Sequence, residues 1–292
     1  MTTLAIVLAV FVGVSLGLLG GGGSILMVPL LAYVAGMDAK QAIATSLLVV
    51  GTTSAVGAIS HARAGRVQWR TALLFGATAM AGAYAGGHLA RFIPGTILLV
   101  GFAVMMIATA IAMLRGRRNN ATSTENSHQL PLAKIAAVGL VVGTVTGLIG
   151  AGGGFLLVPA LVLLGGLPMP IAVGTSLVII AMNSVAGLMG YLSSVRIDWS
   201  LGAALTAAAV VGALIGARFA GKVNPETLRK GFGWLVLIMA SVILGEEIHP
   251  ALGFTAAALT VVAGVMTFVC SHYAACPMRR LTHRSATTAA AT

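Results

Sequence analysis

The sequence predicts an all-α polytopic membrane protein: two inverted repeats, each with a glycine-broken re-entrant or discontinuous helix plus three spans, and an extra C-terminal span. Three observations carry this expectation. Hydrophobic residues make up 58% of the 292-residue chain and charged residues 8%, with a mean hydropathy of +1.02, which leaves no charged coat for a soluble domain of this length. Uncharged stretches of about 20 residues, enough to cross a hydrocarbon core, recur along the chain. A gap-free shift of 130 residues lays one half on the other. The low aromatic content, 5%, and the 38 glycines fit helices packed through small residues.

The chain opens on an apolar segment at 4–18. No Lys or Arg precedes it and it recurs internally, so it reads as structure rather than as a signal peptide. Residues 4–36 and 131–166 are apolar but interrupted, by Gly20-Gly21-Gly22-Gly23 and by Gly150-Ala151-Gly152-Gly153-Gly154. Such runs disfavour a continuous helix because glycine keeps its backbone freedom. Conventional spans follow near 40–61, 70–91 and 95–114, and again near 170–192, 200–221 and 228–247. The repeats are therefore placed at 1–114 and 131–247, with a polar cytoplasmic linker at 115–130 (RGRRNNATSTENSHQL). Residues 248–273 are expected to form an accessory transmembrane helix and 274–292 a basic tail. Cys270 and Cys276 lack metal or redox spacing.

The repeat is carried by Gly13, Gly17, Gly20, Gly22, Gly23 and Pro29, which match Gly143, Gly147, Gly150, Gly152, Gly153 and Pro159. Thr45, Ser46, Ser54, Gly57, Trp69, Gly82 and Gly86 match Thr175, Ser176, Ser184, Gly187, Trp199, Gly212 and Gly216 in the same register. Each interrupted segment is either one tilted helix with a flexible waist or a hairpin turning back at the glycines, and the distribution of positive charge separates the two. The hairpin inverts the second half. It gathers Arg63, Arg66, Arg70, the linker, Arg218, Lys222, Arg229, Lys230 and the tail on one side, as the positive-inside rule requires of a cytoplasmic face. Lys40, Arg91, Arg196, Glu246 and Glu247 fall on the other. This predicts a multi-pass protein of the inner membrane with linker and tail in the cytoplasm.

Inverted, broken helical units are a recurring build of secondary transporters, with the substrate held near the midplane. Glycine breaks at depth require a cavity or covering protein, because exposed backbone polar groups have no partner in lipid. Short helices starting at Ser24 and Phe155 would aim N–H groups at that cavity. All six acidic residues fall at span ends or in loops, so no buried carboxylate marks a cation or proton relay. The expected cargo is a small anion, although carbonyls and hydroxyls alone also accommodate a coupling sodium ion.

The candidate binding residues are Gly20, Gly21, Gly22, Gly23, Ser24, Thr45, Ser46, Gly150, Gly152, Gly153, Gly154, Thr175, Ser176 and Asn183. The hydroxyls of Thr45, Ser46, Thr175 and Ser176 either bond a carbonyl one turn back or face a substrate, and their recurrence in both halves favours the cavity. Asn183 either lines the cavity or bridges helices. His88 and Arg218 occupy equivalent positions near span ends, where they snorkel or line opposite mouths of a pathway. Gly82/Gly86 and Gly212/Gly216 read as packing pairs, and Trp69 and Trp199 as interfacial anchors. GGGGS lacks the Gly-Lys of a phosphate loop, and no metal-binding or catalytic-triad pattern occurs, so no enzyme and no cofactor is expected. The net charge of +11 sits in short loops flanking spans, which topology explains without nucleic acid.

The segments GLLGGGGSILMVPLL at 17–31 with ATSL at 44–47, and GLIGAGGGFLLVPAL at 147–161 with GTSL at 174–177, resemble the sulfite exporter TauE/SafE family. The resemblance covers both halves, roughly 4–247, and implies an inner-membrane transporter exporting sulfite, sulfonates or related small organic anions. An anion channel and a non-transporting receptor or scaffold are the competing expectations.

Overall fold

A computed structural model describes residues 2–115, 132–150, 152–163, 167–219 and 225–248; these are mostly helical, with no strand among them. The first half runs α1 (Thr2–Leu19), a 3-10 stretch (Gly20–Leu26), α2 (Met27–Pro29), a π stretch (Leu30–Val34), α3 (Ala39–Arg63), α4 (Trp69–Leu89), a 3-10 turn (Ala90–Phe92) and α5 (Gly95–Arg115). The second runs α6 (Leu132–Ile149), α7 (Gly154–Leu163), α8 (Met169–Leu192), α9 (Trp199–Phe219) and α10 (Pro225–Ile248). Adding 130 to the bounds of α1 and α4 gives those of α6 and α9, so the repeat of residues is also a repeat of elements. The linker past Arg115, the accessory span past Ile248 and the tail lie outside the described residues.

Ala39–Arg63, Pro170–Leu192 and Trp199–Phe219 are each long and apolar enough to cross a membrane, and Thr3–Leu18, Gly23–Val34, Gly95–Ile111 and Ala136–Ile149 are shorter apolar helices. Large apolar side chains point outward, with Phe11 72% and Val141 61% exposed, the pattern of a surface meant for lipid. The centre belongs to α3 and α8, of whose spans 67% and 61% are buried against 33% of α9.

Neither interrupted segment is one long helix. A Cβ on Gly23 would lie 2.6 Å from Leu16 Cα, so the chain has doubled back on α1 within seven residues. A Cβ on Gly153 would meet Thr146 in the same way. The reversals differ in detail. Gly150, Gly152 and Gly153 have φ of +74°, +63° and +78°, a left-handed region that costs other residues dearly, and α7 starts at Gly154 rather than at the expected Phe155. In the first half the expected helix start at Ser24 falls inside the 3-10 stretch, and α-helical bonding begins only at Met27. Tighter i to i+3 bonding of this kind commonly joins helix ends where the sequence imposes little. Both return arms end alike: Met37 N–H donates to the Leu31 carbonyl at 3.0 Å and Leu167 N–H to the Leu161 carbonyl at 3.2 Å.

Glycines bring the helices to backbone contact. A Cβ on Gly13 or Gly17 would strike the Ala209 or Ala213 carbonyl, and one on Gly212 or Gly216 the Val10 or Val14 carbonyl. Thus α1 and α9 run parallel, interlocked from both sides. The same seam joins α6 to α4: Gly143 and Gly147 face the Ala79 and Ala83 carbonyls, and Gly82 and Gly86 those of Leu140 and Thr144. α1 and α4 therefore each have a second-half partner. Such close approach gains dispersion and weak Cα–H contacts where lipid offers no hydrophobic drive. Along α3 and α8 the order reverses, with Gly187 beside Leu47, Gly51 beside Ser184 and Gly57 beside Leu177, so these two helices cross antiparallel. α4 runs parallel to α8 (Gly76 beside Met182, Gly87 beside Tyr191), and α5 pairs with α10.

The short connections are pinned by hydrogen bonds, Gln41 and Tyr33 reaching across the halves and Lys40 within the first half. Gln41 Nε2 donates to the Arg196 carbonyl at 2.9 Å, Lys40 Nζ donates to the Arg91 carbonyl at 3.1 Å, and Tyr33 Oη donates to Glu247 Oε1 at 3.3 Å. Asp198 caps α9, accepting from Ser200 Oγ at 2.7 Å and from the N–H groups of Ser200 and Leu201. The Ser200 hydroxyl bond, followed by the Leu201 N–H, holds the Asp198 carboxyl below the usual carboxylate range.

Two outcomes follow from this packing. Gly143→Leu wedges α4 from α6 and should cost about 1–3 kcal/mol or abolish monodisperse protein in detergent, whereas Gly101→Ala, with nothing within 4 Å of the added atom, should be neutral in the same thermal melts. A carboxyl held low stabilises the fold above its unfolded pKa, and that contribution disappears as pH falls through the lowered folded value. Asp198→Ala should therefore lower the melting temperature at neutral pH, with the difference closing in strong acid.

Candidate functional site

The chemistry available at the α3–α8 crossing begins with side chains that have no partner. Thr45 Oγ1, Ser54 Oγ, Asn183 Nδ2 and Oδ1, and Ser184 Oγ all lack a hydrogen bond, in residues exposed by 1% or less. An unmade bond on a buried polar group costs about 1–3 kcal/mol, so such groups are kept only for a reason. Ser54 and Ser184 sit within a turn of the crossing point, where Gly51 meets Ser184, and Asn183 adjoins Ser184 in sequence. Thr45 stands six residues before Gly51 on α3, about 9 Å along the helix, and does not join them.

The second glycine tip reaches this crossing. A Cβ on Gly152 would lie 2.6 Å from Val50 Cγ1, 3.1 Å from Ile180 Cγ2 and 3.4 Å from Ser184 Oγ, so the Ser184 hydroxyl lies against bare backbone. Two residues on, α7 begins, and the first N–H groups of a helix have no partner within it. Gly152, Gly153 and Gly154 are buried. The first tip, with Gly20, Gly21, Gly22, Gly23 and Ser24 in its 3-10 stretch, touches α7 and α8, so the two tips meet. Ser24 is fully buried.

Several expected binding residues are engaged by the protein itself. Ser46 Oγ lies 2.7 Å from both the Ile43 and Gly150 carbonyls and, with one proton, donates to one at a time. It pins the second tip to α3 and covers the Gly150 carbonyl, a negative dipole end that would repel an anion. Ser176 Oγ donates to the Val173 carbonyl in its own helix at 2.8 Å. Thr175 Oγ1 accepts from the Gln68 N–H at 3.0 Å, fastening the α3–α4 connection. His88 is half-buried and stacked on Tyr84, with ring centroids 6.3 Å apart, while Arg218 is exposed. α4 follows α8 and α9 follows α1 in direction, so these two residues stand apart from the crossing.

Ser54 and Ser184 are missing from the sequence-derived set, although both were visible in the repeat register. Tyr191 is also new. It is fully buried and its Oη donates to the Leu148 carbonyl at 2.6 Å, satisfying an orphan carbonyl in the last turn of α6. Among the described residues no three His, Cys, Asp or Glu side chains cluster as metal ligands. The centre thus offers hydroxyls, one carboxamide and glycine backbone. It can hold a small polar or anionic molecule through hydrogen bonds, and it presents no carboxylate or imidazole for proton transfer.

Comparison with known proteins gives a family match and three informative relatives. Residues 5–243 match the family model described as sulfite exporter TauE/SafE. The chain is 33% identical over 237 residues to a probable membrane transporter protein of Xylella fastidiosa (strain 9a5c), covering 80% of this chain and 91% of that one. It is 28% identical over 248 residues to the probable membrane transporter protein YdhB of Bacillus subtilis, covering 82% and 98%. A probable membrane transporter protein of Methanocaldococcus jannaschii is 29% identical over 197 residues, covering 65% and 72%. No solved structure matches.

The two kinds of buried serine should respond differently to loss of the hydroxyl. Ser46→Ala frees the glycine tip and should destabilise by about 1 kcal/mol, whereas Ser184→Ala removes an unpartnered group and should be neutral or stabilising. Thermal unfolding in detergent measures both; equal losses would mean that Ser184 has a structural partner.

Proposed function

Because the chain belongs to the sulfite exporter TauE/SafE family and is a membrane transporter, we propose that it exports a small oxyanion, sulfite, a sulfonate or a related organic anion, by alternating access. The observation that carries this reading is the set of unpartnered buried polar atoms of Ser54, Asn183 and Ser184 beside the Gly152 tip. Hydroxyl and amide donors and the N-terminal end of α7 favour negative charge, and Ser46 covers the carbonyl that would oppose it.

On this reading the units 1–114 and 131–247 are inverted in the bilayer, which the antiparallel course of the equivalent helices α3 and α8 supports. The bodies that move are not the sequence halves. Backbone-tight seams join α1 to α9 and α4 to both α6 and α8; on this reading α3 moves with α1 and α9, and the two bodies rock about the α3–α8 crossing so that the site faces each side in turn. His88 and Arg218 lie at opposite mouths. The membrane is the bacterial inner membrane, with the linker at 115–130 and the tail in the cytoplasm, in keeping with the basic residues gathered there. A coupling ion remains compatible with hydroxyl and carbonyl ligands.

Counterflow of labelled sulfite and short sulfonates into liposomes holding the purified protein tests the proposal. Saturable exchange is expected, reduced at least tenfold by Gly152→Leu, which fills the tip, and severalfold by Ser184→Ala. Unsaturable conductance would mark a channel, and partner binding without flux a receptor or scaffold.

A further inference from the structure

We infer that the central site selects by valence: it takes a singly charged oxyanion that retains a proton or carries an organic group, and rejects a bare dianion of similar size. The inference rests on the anion-transport reading above and deepens it.

The crossing offers neutral partners only. The free groups of Ser54, Asn183 and Ser184 are two hydroxyls and one carboxamide. α8 contains no charged or histidine residue along its whole length. On the helices packed around it, Lys40, His61 and Arg63 on α3, Arg70 and His88 on α4 and Lys134 on α6 all fall in the first or last two turns. The Arg66 and Arg196 residues are in the connections beyond them, and Tyr191 on α8 is spent on the Leu148 carbonyl. Among the described residues no fixed positive charge lies at the level of Gly51 and Ser184.

This arrangement decides between charge states of one ligand. The cost of taking an ion out of water grows with the square of its charge, whereas its attraction to fixed neutral dipoles grows only in proportion. A centre of few neutral dipoles therefore favours a monoanion over a dianion of similar size. Asn183 adds a second filter, because Oδ1 accepts and cannot donate. A protonated oxyanion supplies a donor to it; a fully deprotonated dianion meets it with another acceptor. The filter is present once only. The equivalent residue in the first half is Thr53, whose hydroxyl donates to the Val49 carbonyl at 2.6 Å and is thereby satisfied.

The test compares three probes in liposomes holding the full-length protein, from mildly acidic to mildly alkaline pH. Methanesulfonate is a monoanion throughout, sulfate a dianion throughout, and sulfite passes from hydrogen sulfite to the dianion near neutrality. Methanesulfonate flux should be flat with pH, sulfate flux absent, and sulfite flux should fall about tenfold per pH unit above its ionisation. Sulfate flux matching that of methanesulfonate, or sulfite flux unchanged through its ionisation, overturns valence selection and leaves anion transport standing. A parallel fall for methanesulfonate assigns the pH dependence to the protein and also overturns it. Absence of flux for all three probes overturns the transport reading itself. Asn183→Thr, the residue the first half uses at this position, should narrow the preference for hydrogen sulfite over methanesulfonate at the acidic end by about tenfold while keeping the thermal melt; an unchanged preference removes Asn183 from the filter.

Discussion

Everything in this fold answers to one constraint: in a bilayer no water is at hand to satisfy a freed backbone N–H or carbonyl. Two glycine runs interrupt otherwise apolar segments at depth, and each interruption liberates such groups. The structure covers them from within. Both tips are drawn to the α3–α8 crossing, Ser46 reaches across to the Gly150 carbonyl, and Tyr191 reaches the Leu148 carbonyl just before the second tip. The central helices α3 and α8 are more buried than α9 and lie against the breaks, and the outer helices α1, α4, α6 and α9 hold the cover in place through glycine seams.

The backbone repeats more faithfully than the side chains do. α1 and α4 map onto α6 and α9 residue for residue, yet Asn183 replaces Thr53, and Gly87 and Gly190, which bring α4 against α8, become Ala217 and Ser60 where α9 runs beside α3. An added Cβ at each of these places widens the helix spacing, so α9 cannot approach α3 as α4 approaches α8. A fold built from repeated elements thus holds a centre that is chemically one-sided. For a molecule with one polar end and one organic end, a one-sided centre defines a preferred orientation.

Much of this was legible in the residues. The 130-residue offset laid out both sets of helices, because long apolar stretches are closed by charged or capping residues such as Asp38, Asp198 and Arg63. The glycine runs marked where the helices break. What could not be read was partnership. Gly82 and Gly86 announce a close contact but not with Leu140 and Thr144, since glycine is equally compatible with any smooth helix face. Nor does a hydroxyl declare its bond: Thr175 and Ser176 look like Thr45 and Ser46 in sequence, yet Thr175 is occupied by the Gln68 N–H while Thr45 is free. The exact start of the first return helix was hidden for a related reason, since four glycines leave the local backbone to be set by what it packs against.

The exchange of partners between halves also bears on how the molecule is made. α4 leaves the ribosome before α6 exists, so Gly82 and Gly86 must wait in lipid with a bare stripe of backbone until the linker and the next helix have been translated. α1 waits longer still, until α9 emerges almost two hundred residues later. The second half arrives to find its counterparts already inserted, and α6 and α9 are the pieces that close the molecule. The two seams therefore close only once the second half has been made, and a chain stopped after α5 would lack the partners of both glycine stripes.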